Sequence, residues 1–151
     1  MMSHLLKENL TFTMSDSMAD TTKEELINDC RYVAEQIERF RNKDLVYDAE
    51  DCVFYHKNNK ELYPDEAEYD GHDDGLYGYI QNGVYDIKLI TDLDGSLYGC
   101  ILQVAGGGPD IRIDTYKEEV RGHWGVDECH IPISKEICAM IDDEIEQIRG
   151  N

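Results

Sequence analysis

The stretch YDIKLITDLDGSLYGCILQVAGGGPDIRIDT, residues 85–115, decides the fold. Apolar and polar residues alternate over 85–91, which is the period of a half-buried strand, and a second apolar run follows at 97–105. Asp94-Gly95 separates the two runs, and a glycine there supplies the positive φ that a tight hairpin needs. This stretch therefore predicts a β-hairpin.

Two further strands follow the hairpin. Gly106-Gly107-Gly108-Pro109 predicts a turn rather than a phosphate-binding loop, because the chain continues into another strand and not into a helix with a Lys-Ser/Thr pair. Alternation over 110–114 predicts the third strand, and 120–124 the fourth. Four consecutive strands predict an antiparallel meander, with residues 129–133 as a short additional edge segment.

Helices are predicted on both sides of the meander. Thr21 with Glu24 and Thr22 with Glu25 form overlapping capping boxes, which start a helix that ends near Asn42. Its apolar stripe is Leu26, Cys30, Val33, Ile37 and Phe40. Ser134 caps a final helix whose apolar residues are Ile137, Met140, Ile141, Ile145 and Ile148. We expect an α+β fold in which the C-terminal helix packs on the sheet.

The domain organisation follows from length and pattern. A chain of 151 residues is the usual size of one domain. We expect residues 1–20 to form a flexible leader and residues 21–151 a single domain with an acidic connection over 43–83. Within that connection the pattern is irregular, with a short strand or helical turn at 52–55 and one or two helical turns at 76–81.

Charge restricts the classes of partner. The chain carries 33 acidic and 14 basic residues, a formal net charge of -19. Such an excess repels nucleic acid and anionic membranes, whereas a basic groove on another protein attracts it. Five scattered cysteines without C-x-x-C spacing favour reduced thiols in a cytoplasm over disulfides or a zinc site. We expect a basic protein partner and no direct binding to nucleic acid or membrane.

The acidic stretch ELYPDEAEYDGHDDG, residues 61–75, is the main candidate binding surface. Tyrosines interleaved with its carboxylates supply contact area at low entropic cost, while the charges steer a basic partner. A solvated loop is the alternative interpretation. With a second acidic ridge on the last helix, the predicted partner-binding residues are Glu61, Tyr63, Asp65, Glu66, Glu68, Tyr69, Asp70, Asp73, Asp74, Asp142, Asp143, Glu144 and Glu146.

Metal and catalytic motifs in the sequence are incomplete. Asp70, His72, Asp74 and Gly75 match the start of a calcium-binding loop, but the twelfth position, which needs a chelating glutamate, is Gln81. Cys129-His130 are adjacent on a predicted strand, so their side chains point to opposite faces and cannot act together. We predict no metal ligand, no catalytic residue and no cofactor.

The order of motifs in the second half resembles a group of mobile-element proteins. The segments are ILQVAGGGPDIRIDT (101–115), EEVRGHWG (118–125) and IPIS (131–134), the last of which opens an acidic helix. They are similar to small acidic proteins of phages and conjugative elements of Gram-positive bacteria, over roughly residues 86–148. Size and charge also resemble those of anti-CRISPR and anti-restriction inhibitors, some of which mimic DNA, and this class-level similarity assigns no functional residue.

Together these features predict a non-enzymatic inhibitor from a phage or mobile element. Its partner would be a basic nucleic-acid groove of a host defence nuclease, with a CRISPR effector as the first candidate. An immunity or antitoxin-like protein that neutralises a basic toxin is an alternative. A hydrolase that uses clustered carboxylates and a cation is the enzymatic alternative.

Overall fold

The fold is α+β, as predicted. The computed structural model describes residues 14–57 and 71–150, with the side chains of the first helix from residue 22 onward. Within these ranges the helices are α1 (Met14–Glu38), α2 (Gly75–Gly83) and α3 (Lys135–Ile148), and a 3₁₀ turn at Arg39–Arg41 follows α1. The strands are β1 (Leu45–Asp48), β2 (Val53–His56), β3 (Asp86–Thr91), β4 (Leu97–Ala105), β5 (Asp110–Asp114), β6 (Glu119–Trp124) and β7 (Asp127–Pro132).

The main sheet has five strands in the order β3-β4-β5-β6-β7, and each strand is antiparallel to its neighbours. The predicted four-stranded meander is therefore wrong. Gly125, at φ 62°, closes a tight turn after Trp124, and β7 pairs with β6 along its whole length. The edge segment predicted at 129–133 is this full strand, which begins at Asp127; a proline and two outward-facing ionisable residues weaken its sequence pattern.

The two predicted turns of the meander are confirmed. Gly95 has φ 90° and its N–H donates to Asp92 O at 3.0 Å, which closes the hairpin between β3 and β4. Residues 106–109 connect β4 to β5, with Gly107 at φ 85°. The triple glycine is therefore a turn between strands, where no helix N-terminus is available for a phosphate.

One face of the main sheet is covered by helices and forms the core. Helix α1 packs on β6 and β7, and α3 packs on β4. Alternation along the strands directs Leu102, Ile113 and Val120 to this face, where they are fully buried. The predicted packing of the C-terminal helix on the sheet is thus observed.

Helix α1 begins earlier than the capping boxes predict. It starts at Met14 and runs through Thr21 and Thr22, so these threonines lie inside the helix. The expected flexible leader over residues 1–20 therefore overlaps the helix from residue 14. A capping-box pattern marks a local preference for a helix start, and the backbone hydrogen bonds of a longer helix override it.

The start of α3 confirms the predicted cap and links the two long helices. Ser134 Oγ accepts a hydrogen bond from Ile137 N at 3.1 Å, as an N-cap residue does. Glu38, at the end of α1, accepts from both Ser134 N at 2.6 Å and Ser134 Oγ at 2.8 Å. The end of α1 and the start of α3 are therefore held together by one carboxylate.

The connection between α1 and α2 contains a second sheet that the sequence pattern does not predict. Strands β1 and β2 pair over their full lengths, around a turn in which Cys52 has φ 57°. A non-glycine residue with positive φ is uncommon, so sequence rules do not place a turn there. Phe40, Tyr47, Phe54 and Tyr79 form an aromatic cluster, with ring centroids 4.8–5.9 Å apart, that packs this hairpin against α2 and the end of α1.

Candidate functional site

The predicted partner-binding residues fall into three groups. Seven of them lie outside the described residues: Glu61, Tyr63, Asp65, Glu66, Glu68, Tyr69 and Asp70. Asp73 and Asp74 lie in the short loop before α2. Asp142, Asp143, Glu144 and Glu146 lie on α3. The structure therefore gives positions only for the end of the acidic stretch and for the acidic residues of the last helix.

The loop before α2 is attached to strand β1 through its two carboxylates. Asp73 Oδ1 accepts hydrogen bonds from Tyr47 N at 2.9 Å and from Gly75 N at 3.0 Å. Asp74 Oδ2 accepts from Ala49 N at 2.9 Å, and Asp74 N donates to Tyr47 O at 2.6 Å. These carboxylates satisfy main-chain donors of the hairpin, so their first role is to position the loop.

The last residue of β1 and the turn that follows it add three more carboxylates beside this loop. Asp48 is buried, with 3% of its surface exposed, and its Oδ1 accepts from Glu50 N at 2.9 Å and Asp51 N at 3.3 Å. The side chains of Glu50 and Asp51 are exposed. Because Asp74 bonds to the same turn, the structure brings together five carboxylates, which we call the acidic end: Asp48, Glu50, Asp51, Asp73 and Asp74.

The acidic end has no lysine or arginine counterion among the described residues. The ion pairs that described lysines and arginines form within 4.0 Å involve other carboxylates. The one ionisable base in contact is His72, whose Nε2 lies 3.0 Å from Asp74 Oδ2. Like charges grouped in this way produce a strongly negative local potential.

Three residues of this region could hold a metal ion. One ligand atom from each of Asp48, His72 and Asp74 lies within 4.8 Å of the others. The calcium-loop pattern is not formed, because α2 starts at Gly75 and carries Gln81 within the helix. Main-chain N–H groups already donate to Asp48 Oδ1 and Asp74 Oδ2, so these carboxylates can lie close together without a cation between them. The geometry therefore permits a divalent ion and does not require one.

Asp142, assigned by sequence to the partner surface, points toward the sheet instead. Its Oδ1 accepts a hydrogen bond from Thr115 Oγ1 at 2.8 Å and lies 3.6 Å from Cys100 Sγ. Burial raises the pKa of the Asp142 carboxyl, while the hydrogen bonds from Thr115 and Cys100 oppose that rise. Asp142 is therefore a contact between α3 and the sheet.

The other three acidic residues of α3 do not form one continuous ridge. Asp143 is exposed, whereas Glu144 and Glu146 are partly buried. Glu146 Oε1 pairs with Arg149 Nε at 2.8 Å, and Arg149 also donates to Gly95 O at 3.0 Å in the β3–β4 turn. At 100° per residue these side chains spread around the helix. Of the four, Asp143 is the most available to a partner.

The face of the main sheet that no described helix covers, which we call the helix-free face, carries a row of one amide and three basic side chains that the sequence pattern does not predict. Gln103, Arg112, Arg121 and His130 are directly opposite one another on four successive strands. Next to them lies a shallow pocket of about 230 Å³, lined by Asp110, Arg112, Arg121, Gly122, His123 and Glu128. The alternation of charged residues in β5 and β6 shows that they share one face of each strand. It does not show which residues lie opposite each other, because that depends on the strand register.

Each cation of this row has an acidic partner. Arg112 Nε lies 3.1 Å from Asp110 Oδ1, and Arg121 Nη1 lies 2.9 Å from the buried Asp114. His130 Nδ1 lies 2.9 Å from Glu119 Oε2 and its Nε2 lies 3.3 Å from Glu128 Oε1, contacts that raise the pKa of His130. This face is therefore locally balanced, in contrast to the acidic end.

The thiols of Cys30 and Cys129 lie in the core. Cys129 is buried and His130 is exposed, so the two point to opposite faces of β7, as predicted. Burial, together with the neighbouring Cys129, raises the pKa of Cys30 to about 12. A thiol held protonated in the core is a packing group.

Comparisons with known proteins supply no relative: no family model, no curated protein and no solved structure matches the chain. In the part of the chain that the structure describes, no helix has the length and apolarity needed to cross a membrane.

Proposed function

We propose that the protein acts by binding, as an acidic inhibitor whose acidic end enters a basic nucleic-acid groove of another protein. One observation carries this proposal. Five carboxylates converge at the acidic end without a lysine or arginine counterion among the described residues, whereas the arginines on the helix-free face are paired. An uncompensated negative surface steers a positive partner.

The class of partner rests on charge and resemblance. A net charge of -19 disfavours nucleic acid and favours a protein that itself binds nucleic acid. The resemblance of residues 86–148 to proteins of phages and conjugative elements supports a host defence nuclease, with a CRISPR effector as the first candidate. The inhibitor would compete with DNA or guide RNA for the groove.

The contacts of the acidic end decide which residues can test this proposal. Asp73 and Asp74 bond to the main chain of the hairpin, so charge reversal there would disturb the fold as well as binding. Glu50 and Asp51 are exposed, and their side chains make no described ion pair. Glu50→Gln with Asp51→Asn therefore removes two charges from the acidic end while leaving the loop attached.

The test is capture of a partner by the immobilised full-length protein from a bacterial lysate, at low and at high salt. We expect the captured protein to bind nucleic acid itself and to be released by double-stranded DNA or by RNA, because the two ligands would share one groove. High salt should reduce capture, since screening weakens attraction between surface charges.

A matched pair of variants controls for total charge. Glu35→Gln with Asp44→Asn removes the same two charges from exposed positions outside the acidic end. The Glu50/Asp51 variant should capture less partner than wild type, and the Glu35/Asp44 variant should match wild type. Equal capture by both variants, or capture that neither salt nor nucleic acid affects, would refute the proposal.

A further inference from the structure

Strand β3 is an edge of the main sheet that no other described strand covers. It pairs with β4 on one side only, and five of its six residues are exposed. The open edge presents unpaired main-chain N–H and C=O groups, to which a strand of another chain can bind. Most natural edges are covered or interrupted, so an edge of this length is a candidate interface.

The side chains of β3 make this edge apolar on the core side of the sheet. Ile87 and Leu89 lie opposite Leu102 and Cys100, which are fully buried, yet 38% and 43% of their own surfaces are exposed. Tyr85, just before the strand, is 77% exposed. The described helices that cover the core therefore stop short of β3, and the side chains of Ile87 and Leu89 remain open to solvent on the core side of the strand.

Geometry limits how β3 could pair with itself. Main-chain donors and acceptors point alternately to the two sides of a strand, so two identical antiparallel strands must pair about a residue and not about a peptide bond. The irregularity in register between Ile90 and Thr91 ends the regular edge. The possible centres are therefore Asp86, Ile87, Lys88 and Leu89.

Charge selects one of these centres. Pairing about Asp86 or about Lys88 places each of these residues opposite its own copy, which is repulsive. Pairing about Leu89 places Asp86 opposite Asp92. Pairing about Ile87 places Asp86 opposite Lys88 twice by symmetry.

We propose that β3 is a homodimer interface, in which it pairs with β3 of a second copy about Ile87. The two sheets then become continuous, Ile87 packs on Ile87 of the second copy, and two Asp86–Lys88 pairs lie on the opposite side. The net charge of -19 on each copy opposes association over longer distances, so moderate salt should strengthen the dimer. This interface uses no residue of the acidic end and stands independently of the proposed inhibitor function.

The test measures the mass of the full-length protein by light scattering and by sedimentation equilibrium over a range of protein concentrations. Wild type should show a reversible monomer–dimer equilibrium. Asp86→Lys places the new lysine opposite Lys88 of the second copy, and Lys88→Asp places two aspartates opposite each other. Each single change should raise the dissociation constant by about tenfold or more, and the double swap should restore dimerisation.

The two single variants also separate this interface from a general effect of charge. Asp86→Lys lowers the net negative charge, whereas Lys88→Asp raises it, so an association governed by net charge would respond in opposite directions. Both variants weaken the proposed interface. A wild-type monomer at every concentration, opposite responses of the single variants, or a double swap that stays monomeric would each overturn the proposal. Circular dichroism of every variant verifies that the fold is retained.

Discussion

Gly122→Ala tests how closely α1 must approach the sheet. Gly122 lies on the core face of β6, directly beneath α1. A methyl group there would overlap Cys30 Sγ and lie 3.0 Å from Leu26 Cδ1, well inside the ~3.5–4.0 Å at which carbon atoms pack. Cys30 and Leu26 are both fully buried, so neither can turn outward. The helix must therefore move away from β6.

The overlap with Leu26 and Cys30 sets the expected loss of folding free energy in Gly122→Ala. Overpacking a filled core costs about 1–3 kcal/mol, and an overlap with two fully buried side chains belongs at the upper end, about 3 kcal/mol. For a chain of this length such a loss lowers the melting temperature by about 6–12 °C. Gly108→Ala is the matched control, because a methyl group at Gly108 meets no atom within 4 Å. It should stay within about 1 kcal/mol of wild type.

Urea denaturation followed by far-ultraviolet circular dichroism measures both variants. A double-mutant cycle then identifies the contact: Cys30→Ala removes the overlapping sulfur, so the Gly122→Ala/Cys30→Ala protein should be about 2 kcal/mol more stable than the sum of the single changes predicts. If Gly122→Ala costs no more than Gly108→Ala, or if the two core changes are additive, α1 does not pack on β6 in the described way.

Three further predictions concern charged groups. The raised pKa of His130 means that its contacts with Glu119 and Glu128 stabilise the fold below the ordinary histidine value and lose this effect as pH rises through the raised value; His130→Gln should flatten the stability profile above about pH 6.5 in urea titrations. Asp142→Asn keeps an oxygen for Thr115 but removes a half-buried charge, so this variant should equal or exceed wild type in stability at neutral pH and lose any advantage in acid; a large loss at neutral pH would contradict the burial argument. Thermal unfolding with Mg²⁺ or Mn²⁺ tests the hydrolase alternative: we expect no shift beyond that of matched ionic strength, and a shift that grows with ion concentration and is lost in His72→Ala would favour a metal site.

The contrast between the acidic end and the helix-free face explains why net charge alone is a poor guide to the binding surface. Arg112, Arg121 and His130 are concentrated on one face of the sheet, where aspartates and glutamates neutralise them. The acidic residues paired there cannot attract a partner. Those left at the β1–β2 turn can, although this turn is short and has no sequence motif.

Residues with clear local patterns were predictable. The hairpin at Asp94-Gly95, the turn at 106–109 and the helix capped by Ser134 follow from alternation, glycine conformation and side-chain capping, each of which acts within a few residues. Strand β7 and the hairpin β1–β2 were predictable only in part, as an edge segment at 129–133 and a short strand or helical turn at 52–55, because these strands are short and their local pattern is weak.

The candidate site also has a part that composition predicts and a part that depends on packing. The chain alone shows an excess of carboxylates and the acidic stretch of 61–75, and the basic partner that this composition suggests stays a prediction. Composition does not show which carboxylates remain available. Asp142 was assigned to the surface by its acidic neighbours, yet Thr115, which follows β5, holds it against the sheet.

Local periodicity is enough to predict the α+β class and most of the meander, while the expectation of a basic partner rests on summed charge and stays a prediction. The grouping of Asp48, Glu50 and Asp51 with Asp73 and Asp74, and the open apolar edge at β3, become visible in the folded chain. Both outcomes depend on register and packing between segments far apart in the chain, because a carboxylate or an isoleucine acquires its role from the neighbours that folding places beside it.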